Sequence, residues 1–221
     1  MSDWSEAFVD TLARTACGAQ LFNQYADTSA SNATRRANLG RYLRDMEARR
    51  PEALLLFEAP GYRGCRLTGI PVTSRRVLLE GLPGLGLFGR ERGYADVAEA
   101  GFERIQGEQS ATILWRALAD LGVAPLIWNS VPFHPHRAGQ MLSNRPPRAA
   151  ELAQGCDVLR ELLARFRPRT LVAVGRSAQG SLAALGLEHH ALRHPAHGGS
   201  GEFVAGLRAL CVEAGLSAPN P

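Results

Sequence analysis

The sequence predicts an α/β protein, a three-layer α/β/α sandwich around a central four-stranded parallel sheet. Four short apolar runs, each of strand length, alternate with longer segments of helical periodicity. The runs show no alternation of polar and apolar residues, which is typical of parallel strands buried on both faces. Because a chain of 221 residues can bury one core, we expect a single domain over residues 1–221, with a helical segment at 1–50 packed on it.

The predicted elements of the N-terminal half begin with two helices. Helical periodicity covers residues 5–25 and 36–49, and the polar stretch 28–34 offers N-cap residues to the second helix. The first strand covers residues 53–58, and a short helix covers residues 75–82.

A glycine-rich apolar stretch, GLPGLGLFG, breaks that short helix. We expect it to form a loop that lines the binding pocket through Leu85, Leu87 or Phe88. The remaining elements are predicted in order as a helix at 109–121, a strand at 125–131, a helix at 148–166, a strand at 170–174, a helix at 177–185, a strand at 191–193 and a helix at 202–214.

The charge and composition restrict the chemistry. The net charge of +4 and the pI of about 9.2 fit a DNA-binding protein, although many proteins without a DNA ligand are equally basic. All 25 basic residues are Arg, so no side-chain amine can form a Schiff base and phosphate contacts must come from Arg, Ser, backbone amides and helix N-termini. The chain has neither an apolar run of about 18 residues nor a signal-peptide pattern, which predicts a cytoplasmic protein.

The four cysteines, Cys17, Cys65, Cys156 and Cys211, are widely spaced and form no CxxC pair. In a cytoplasmic protein this spacing argues against disulfide bonds and against a zinc ribbon. The two histidines of the HPH motif, His134 and His136, have no evident third ligand. We interpret them as surface or DNA-facing residues, and we expect no metal.

Three motifs follow strand-like runs. The first strand ends in EAPG, which places Glu58 at the carboxyl edge of the sheet, where open α/β sheets bind ligands. Gly61 and Gly64 allow the backbone to approach a ligand closely. The second motif is Asn129, after the apolar run LIW, and the third is HPAHGG, which contains His194.

EAPG, a strand ending in Asn, and a late HPA occur here in the order that resembles the uracil-DNA glycosylase superfamily. The similarity extends over residues 54–203, and it is greatest to the family 4 group, in which GEAPG is followed by a TG/QG-x-P loop. Family 4 relatives carry an iron–sulfur cluster on four cysteines. Only Cys156 occupies the place of such a ligand here, while Phe133 stands where the third would fall. We therefore expect no iron–sulfur cluster and no other cofactor.

The resemblance implies a division of roles at the site. Excision of uracil needs a carboxylate on the sugar side, and Glu58 would orient the attacking water or stabilise the cationic sugar. His194 would donate a hydrogen bond to uracil O2 as negative charge develops there. The amide of Asn129 offers one acceptor and two donors, enough to bind uracil O4 and N3–H and to reject cytosine. Ala59, which stands where other families carry Asp or Asn, would line the pocket with Gly61 through backbone atoms.

The stacking residue departs from the family pattern. The loop TGIPV has Val72 where relatives carry the Phe that stacks on the base. Val72 is expected to line the uracil pocket, and the missing ring would come from Tyr62, Phe88 or Phe133. Tyr62 is favoured because it directly follows EAPG. The residues expected to contact DNA are Ser177, Gln179, His197, Gly198, Gly199 and Ser200.

These inferences predict a monomeric, monofunctional DNA glycosylase that hydrolyses the N-glycosidic bond of deoxyuridine in DNA. It would release uracil and leave an abasic site, the first step of base excision repair. Three alternatives stay open. The substrate could be another deaminated base, hypoxanthine or xanthine. The protein could bind abasic or damaged DNA with little catalysis. It could also be an unrelated nucleotide- or sugar-phosphate-binding enzyme without affinity for duplex DNA.

Overall fold

The computed structural model describes residues 3–216. In chain order its helices and strands are α1 (Trp4–Arg14), β1 (Leu21–Phe22), α2 (Ala30–Arg49), β2 (Ala53–Phe57), α3 (Cys65–Thr68), α4 (Arg75–Glu80), α5 (Gln109–Leu121), β3 (Leu126–Asn129), β4 (His134–Pro135), α6 (Ala149–Phe166), β5 (Thr170–Val174), α7 (Arg176–Ala184), β6 (His190–Leu192) and α8 (Ser200–Glu213). Two short 3-10 turns lie between α4 and α5.

The central sheet has four strands in the order β3-β2-β5-β6, and every neighbouring pair is parallel. Strand β2 lies in the middle, where Leu55 pairs with Ile127 of β3 and Val172 of β5. All residues of β2 and β3 are buried, which explains why their sequences do not alternate. Helix α7 packs on β5 and β2, and α8 packs on β6. The predicted α/β sandwich with a four-stranded parallel sheet is confirmed.

The free edge of the sheet at β3 is covered by helix α2. The hydroxyl of Tyr42 accepts a hydrogen bond from the Ile127 amide (2.8 Å) and donates one to the Ile127 carbonyl (3.3 Å). A single buried phenol thus satisfies backbone groups that an edge strand leaves unpaired. On α1, Phe8 packs edge-to-face on Trp128 of β3, with ring centroids 5.6 Å apart.

The first helix is shorter than its periodicity predicts. Helix α1 ends at Arg14 rather than at residue 25, because Thr15 is extended and Asn23 donates to the carbonyls of Leu12 (2.8 Å) and Thr15 (3.0 Å). The chain then forms β1, which pairs antiparallel with β4 in a two-stranded sheet that the sequence did not reveal. Helix α2 begins earlier than predicted, since the Ser29 hydroxyl accepts from the Asn32 amide.

The glycine-rich loop after α4 contributes no residue to the cleft at the sheet edge, contrary to expectation. Leu85, Leu87 and Phe88 are all buried in the hydrophobic core. Phe88 packs edge-to-face on Trp115 (4.9 Å between centroids) and on Tyr94 (5.4 Å). The glycines let this segment fold back onto the core, where burial of its apolar side chains is favourable. No helix in the described part of the chain is long and apolar enough to span a membrane.

Helix α6 makes a close approach to the end of β3. A Cβ atom added at Gly155 would overlap the carbonyl oxygen of Ser130. Only a residue without a side chain lets the helix lie this close to the backbone that follows Asn129.

We expect Gly155→Ala to destabilise the fold by about 1–3 kcal/mol, because the added methyl group must displace backbone. Urea unfolding measures this difference. The matched control is Gly180→Ala in α7, where an added Cβ would meet nothing within 4 Å. That change should stabilise the helix by about 0.5–1 kcal/mol. Equal unfolding midpoints for the Gly155 variant and the wild type would contradict the predicted close packing.

Candidate active site

A cleft of about 510 Å³ opens at the carboxyl edge of the sheet. Its walls come from the segments that follow β2, β5 and β6, from the start of α5, and from the loop that precedes α6. The residues that line it are Phe57, Glu58, Ala59, Pro60, Gly61, Gly64, Cys65, Val72, Glu108, Ser110, Pro135, Asn144, Arg145, Pro146, Val174, Gly175, Arg176, His194, Ala196 and His197.

Glu58 enters the cleft directly from the end of β2. The ladder of hydrogen bonds continues past the strands, with the Ser130 amide donating to the Phe57 carbonyl (2.7 Å) and the Val131 amide donating to the Glu58 carbonyl (3.1 Å). The Glu58 carboxylate is half-buried and accepts a short hydrogen bond from the Ser177 hydroxyl at the start of α7. Backbone and side chain are therefore both held in position.

His194 faces the same cleft as a neutral donor. Its Nδ1 accepts a hydrogen bond from the Ala196 amide (3.1 Å), so in the neutral ring the proton lies on Nε2. The ring packs edge-on against Phe57, with centroids 5.8 Å apart. Burial lowers the pKa of His194, while the charges of Glu58 and Glu108 act in the opposite direction. The result is an imidazole with a fixed tautomer and a free Nε2–H.

Two glycines allow the chain to close around His194. Gly175 has a φ of +88°, and an added Cβ would lie 3.5 Å from the Cβ of His194. At Gly199 an added Cβ would overlap the His194 carbonyl oxygen. The loop between β6 and α8 thus folds tightly enough to orient the imidazole.

Asn129 lies at the end of β3, in register with Phe57. Its side chain is 1 % exposed, and neither the amide nitrogen nor the amide oxygen has a hydrogen-bond partner among the described residues. Asn129 does not itself line the cleft, although its neighbour Phe57 does. A buried amide without partners is costly and uncommon in folded proteins. The donor and acceptor groups of Asn129 are both unused, so the amide has full capacity to bind a polar ligand.

Val72 forms part of the cleft wall in a strained conformation. Its φ is +45°, a left-handed backbone that is unfavourable for a β-branched residue. The indole of Trp115 holds it there by donating to the Val72 carbonyl (2.9 Å) and to the Thr73 hydroxyl (3.1 Å). Such locked strain is typical of ligand-facing positions.

Sequence reasoning missed several cleft residues, above all Glu108. This carboxylate caps α5 by accepting from the amides of Ser110 (3.0 Å) and Ala111 (2.7 Å), and it brings a second negative charge close to His194. The N-cap position of Glu108 was readable from the sequence, but its place in the cleft depends on how α5 packs.

The comparisons with known proteins decide the family. A protein-family model described as the uracil DNA glycosylase superfamily matches residues 46–209, about three quarters of the chain. The chain belongs to the uracil-DNA glycosylase superfamily. A comparison with curated protein sequences finds no match.

The fold of this DNA glycosylase is also similar to that of SMUG2 from Pedobacter heparinus, in the crystal structure of the wild-type protein. The two chains are 13 % identical, the match covers 95 % of this chain and 99 % of the other, and the TM-score is 0.56. At this identity the similarity establishes the fold.

In the glycosylase, two of the three rings predicted to stack on the base do not face the cleft. Phe88 is in the core, and Phe133 is fully buried against Tyr25. Tyr62 is half-buried next to the cleft residue Gly61, with the guanidinium of Arg63 5.2 Å from its ring centroid. Of the predicted base-binding residues, the structure brings Ala59, Gly61 and Val72 together in the cleft wall.

The predicted DNA-binding residues occupy three different positions. His197 is exposed and lines the cleft mouth. Ser177 instead binds Glu58, and Gln179 is half-buried in α7. The other predicted contacts lie where α8 begins, outside the cleft lining, and are Gly198, Gly199 and Ser200. A cation that the sequence did not single out, Arg176, lines the mouth and makes no ion pair within residues 3–216.

The HPH histidines are buried, not surface residues as expected. His134 is inaccessible and His136 is 7 % exposed, because β4 pairs with β1 and carries both rings beneath the surface. Nδ1 of His134 lies 2.7 Å from the Pro60 carbonyl oxygen, and Nε2 lies 3.0 Å from that of Met141. Burial lowers the pKa of His134.

The cysteines do not fit an iron–sulfur cluster. Within residues 3–216, no group of three or more His, Cys, Asp or Glu side chains lies close enough to hold a metal ion. Cys65 is buried in the cleft wall, and burial raises the pKa of its thiol to about 12. A thiol with such a pKa stays protonated and unreactive at neutral pH.

The tautomer and charge of His194 can be tested by NMR on histidine labelled with ¹⁵N. We expect a neutral ring protonated on Nε2, with a pKa below that of a free histidine, because burial disfavours the imidazolium. Glu58→Gln should lower the pKa of His194 further, since the Glu58 charge raises it. The control Glu91→Gln, at an exposed carboxylate outside the cleft, should leave it unchanged. A proton on Nδ1, or a pKa that rises in Glu58→Gln, would refute this assignment.

Proposed function

We propose that this glycosylase hydrolyses the N-glycosidic bond of deoxyuridine in DNA, releasing uracil and leaving an abasic site. The observation that carries the proposal is the arrangement of Glu58 and the neutral imidazole of His194 in one cleft at the carboxyl edge of the sheet. Both reach the cleft from strand ends, which are the most rigid supports that the fold offers.

The bond to be broken needs opposite charges stabilised on its two sides. As the base leaves, positive charge develops on the sugar and negative charge on the base. Glu58 supplies a carboxylate for the sugar side, where it stabilises the cation or orients a water molecule toward C1′. His194 supplies the Nε2–H for uracil O2, and preorganised donors of this kind act on the charge that appears only in the transition state.

Asn129 is proposed to read the base. Its buried amide has both donor and acceptor capacity unused, and uracil presents an acceptor at O4 and a donor at N3–H. Cytosine presents the opposite pattern, a donor at its 4-amino group and an acceptor at N3, so an amide oriented for uracil would face donor with donor and acceptor with acceptor. Asn129 pairs in register with the cleft residue Phe57, so its amide lies on the strand directly beside the cleft wall.

The reaction is proposed to stop at the abasic site. A bifunctional enzyme that also cuts the strand forms a Schiff base with the sugar aldehyde through an amine, usually that of Lys. The chain contains no Lys, as all 25 basic residues are Arg. The one amine left is the α-amino group, so we propose that water is the nucleophile and that the product strand stays continuous.

One observation favours a second candidate substrate. The cleft wall carries Val72 at the position where an aromatic ring would limit the size of the bound base. The wall is also open at Gly61, where an added Cβ would meet only Asn144, at 3.9 Å. This wall leaves room for a purine, so hypoxanthine or xanthine in DNA is the alternative. Both are tested beside uracil in the assay below.

The residue roles predict distinct losses of activity. We expect Glu58→Gln and His194→Ala each to lower the single-turnover rate of uracil release about 100-fold or more, the usual effect of removing one transition-state donor. Asn129→Ala should weaken uracil excision and reduce discrimination against cytosine. Oligonucleotides with one deoxyuridine, single-stranded and opposite G or A, are cleaved by alkali after incubation to measure release.

The controls for this assay are Glu91→Gln and His190→Ala, which alter an exposed carboxylate and an exposed imidazole outside the cleft. Both should retain the wild-type rate. Release of hypoxanthine or xanthine in place of uracil would show that Glu58 and His194 act on the second candidate substrate. Full activity of Glu58→Gln and His194→Ala on every deaminated base would exclude this site as the catalytic centre.

A further inference from the structure

Two large apolar side chains stand exposed side by side near the cleft. Met141 is 43 % exposed and Leu142 is 51 % exposed, in the loop between β4 and α6. In the described part of the chain, the other exposed large apolar residues, Ile105 and Val212, are isolated. Single exposed apolar residues are normal, whereas neighbouring ones form a contiguous apolar patch, the kind of surface that contacts other molecules.

The loop holds this pair in place. The hydroxyl of Ser143 accepts from the Arg137 amide (3.0 Å) and donates to the Gln140 carbonyl (2.6 Å). The Gln140 amide in turn donates to the Arg137 carbonyl (3.0 Å), and Nε2 of His134 lies 3.0 Å from the Met141 carbonyl oxygen. The two side chains are therefore presented to solvent by an ordered turn and do not fold back onto the core.

The same turn is attached to the rim of the cleft. The second nitrogen of the His134 ring contacts the carbonyl of Pro60, which follows Glu58 and Ala59 in the EAPG motif. The Asn144 side chain accepts from the Tyr62 amide (3.0 Å), and Asn144 itself lines the cleft. His134 and Asn144 thus connect the loop that carries the apolar pair to the loop that follows the catalytic carboxylate.

The charge around the pair matches DNA. Arg63, Arg137 and Arg176 are exposed, and none of them makes an ion pair within the described chain. Arg63 and Arg137 belong to the two connected loops, and Arg176 lies at the cleft mouth. Unpaired guanidinium groups on these loops favour phosphates, while the two apolar side chains favour a surface that is itself apolar, such as the faces of stacked bases.

The loop that carries His194 has no side chain suited to that contact. Its sequence, from Arg193 to Ser200, is RHPAHGGS, with two adjacent glycines and no large apolar residue. A nucleotide that leaves the duplex for the cleft opens a gap between its neighbours, and leaving the gap empty costs the stacking energy.

We propose that Met141 and Leu142 enter duplex DNA as a wedge and occupy the space that the extruded nucleotide vacates. Apolar side chains inserted between base steps are an established way to hold DNA open. The proposal rests on the proposed function only in requiring that a nucleotide leaves the stack to reach the cleft. It does not depend on which base is removed.

The test uses a duplex with a tetrahydrofuran abasic analogue opposite 2-aminopurine. Wild type should bind it and raise the 2-aminopurine fluorescence, because the wedge unstacks the opposite base. The double variant Met141→Ala/Leu142→Ala should bind about tenfold more weakly, a loss of about 1.4 kcal/mol, and should leave the fluorescence near that of free DNA. Excision from single-stranded substrate should be unchanged, since no stack has to be held open.

The matched control is Val212→Ala, which truncates an apolar residue that is 84 % exposed at the end of α8; it should behave as wild type. Thermal unfolding of the double variant should equal that of wild type, and Leu142→Phe should retain binding. Equal binding and fluorescence for the double variant and wild type, or no binding of the duplex by wild type, would overturn the wedge. Tight binding with no uracil release would contradict the proposed substrate and leave the wedge supported.

Discussion

The site depends on one constraint, the parallel pairing of the four strands of the sheet. Strand β2 pairs with β3 and β5, and β5 pairs with β6. Because all four strands run in the same direction, each ends at the same edge. Glu58 directly follows β2, Asn129 ends β3, and His194 comes two residues after β6. These three residues are widely separated in the sequence, so no local structure could bring them together. The pairing of the strands brings the three motifs to one edge.

Much of this could be predicted from local sequence. Helix α5 and strand β5 have the predicted bounds. Helix α5 lies between the N-cap residue Glu108 and the C-cap residue Gly122, and β5 is a continuous apolar run. The placement of Glu58 and His194 in one cleft followed from the rule that parallel strands end at one edge.

The residues that escaped prediction depend on tertiary contacts. The pairing of β1 with β4 joins residues more than 100 positions apart and buries His134, and neither strand is long enough to be recognised from its pattern. Glu108 lies in the cleft because the start of α5 packs close to Gly64. A Cβ added at Gly64 would lie 3.7 Å from the Glu108 side chain. Phe88 was misplaced because a glycine-rich apolar segment can equally well form a pocket wall or fold into the core.

The charges divide into an inner and an outer set. Three buried arginines form ion pairs inside the protein, with Arg35 and Arg66 sharing Glu99 and Arg75 binding Asp96. These cations contribute to the basic pI but cannot reach DNA. The cleft itself holds Glu58 and Glu108, whose negative charge suits a cationic sugar, while Arg176 at its mouth makes no ion pair within residues 3–216 and suits a phosphate. The distribution of charge, rather than its sum, therefore supports the proposed reaction.

Hydrolysis at deoxyuridine is tested by mass spectrometry of a duplex that carries one deoxyuridine, after a single turnover with excess enzyme. We expect free uracil and a continuous strand whose mass has fallen by the base and risen by the hydroxyl that water supplies. A strand of unchanged mass would contradict uracil excision, and a strand broken at the deoxyuridine would contradict hydrolysis by water in a protein without Lys.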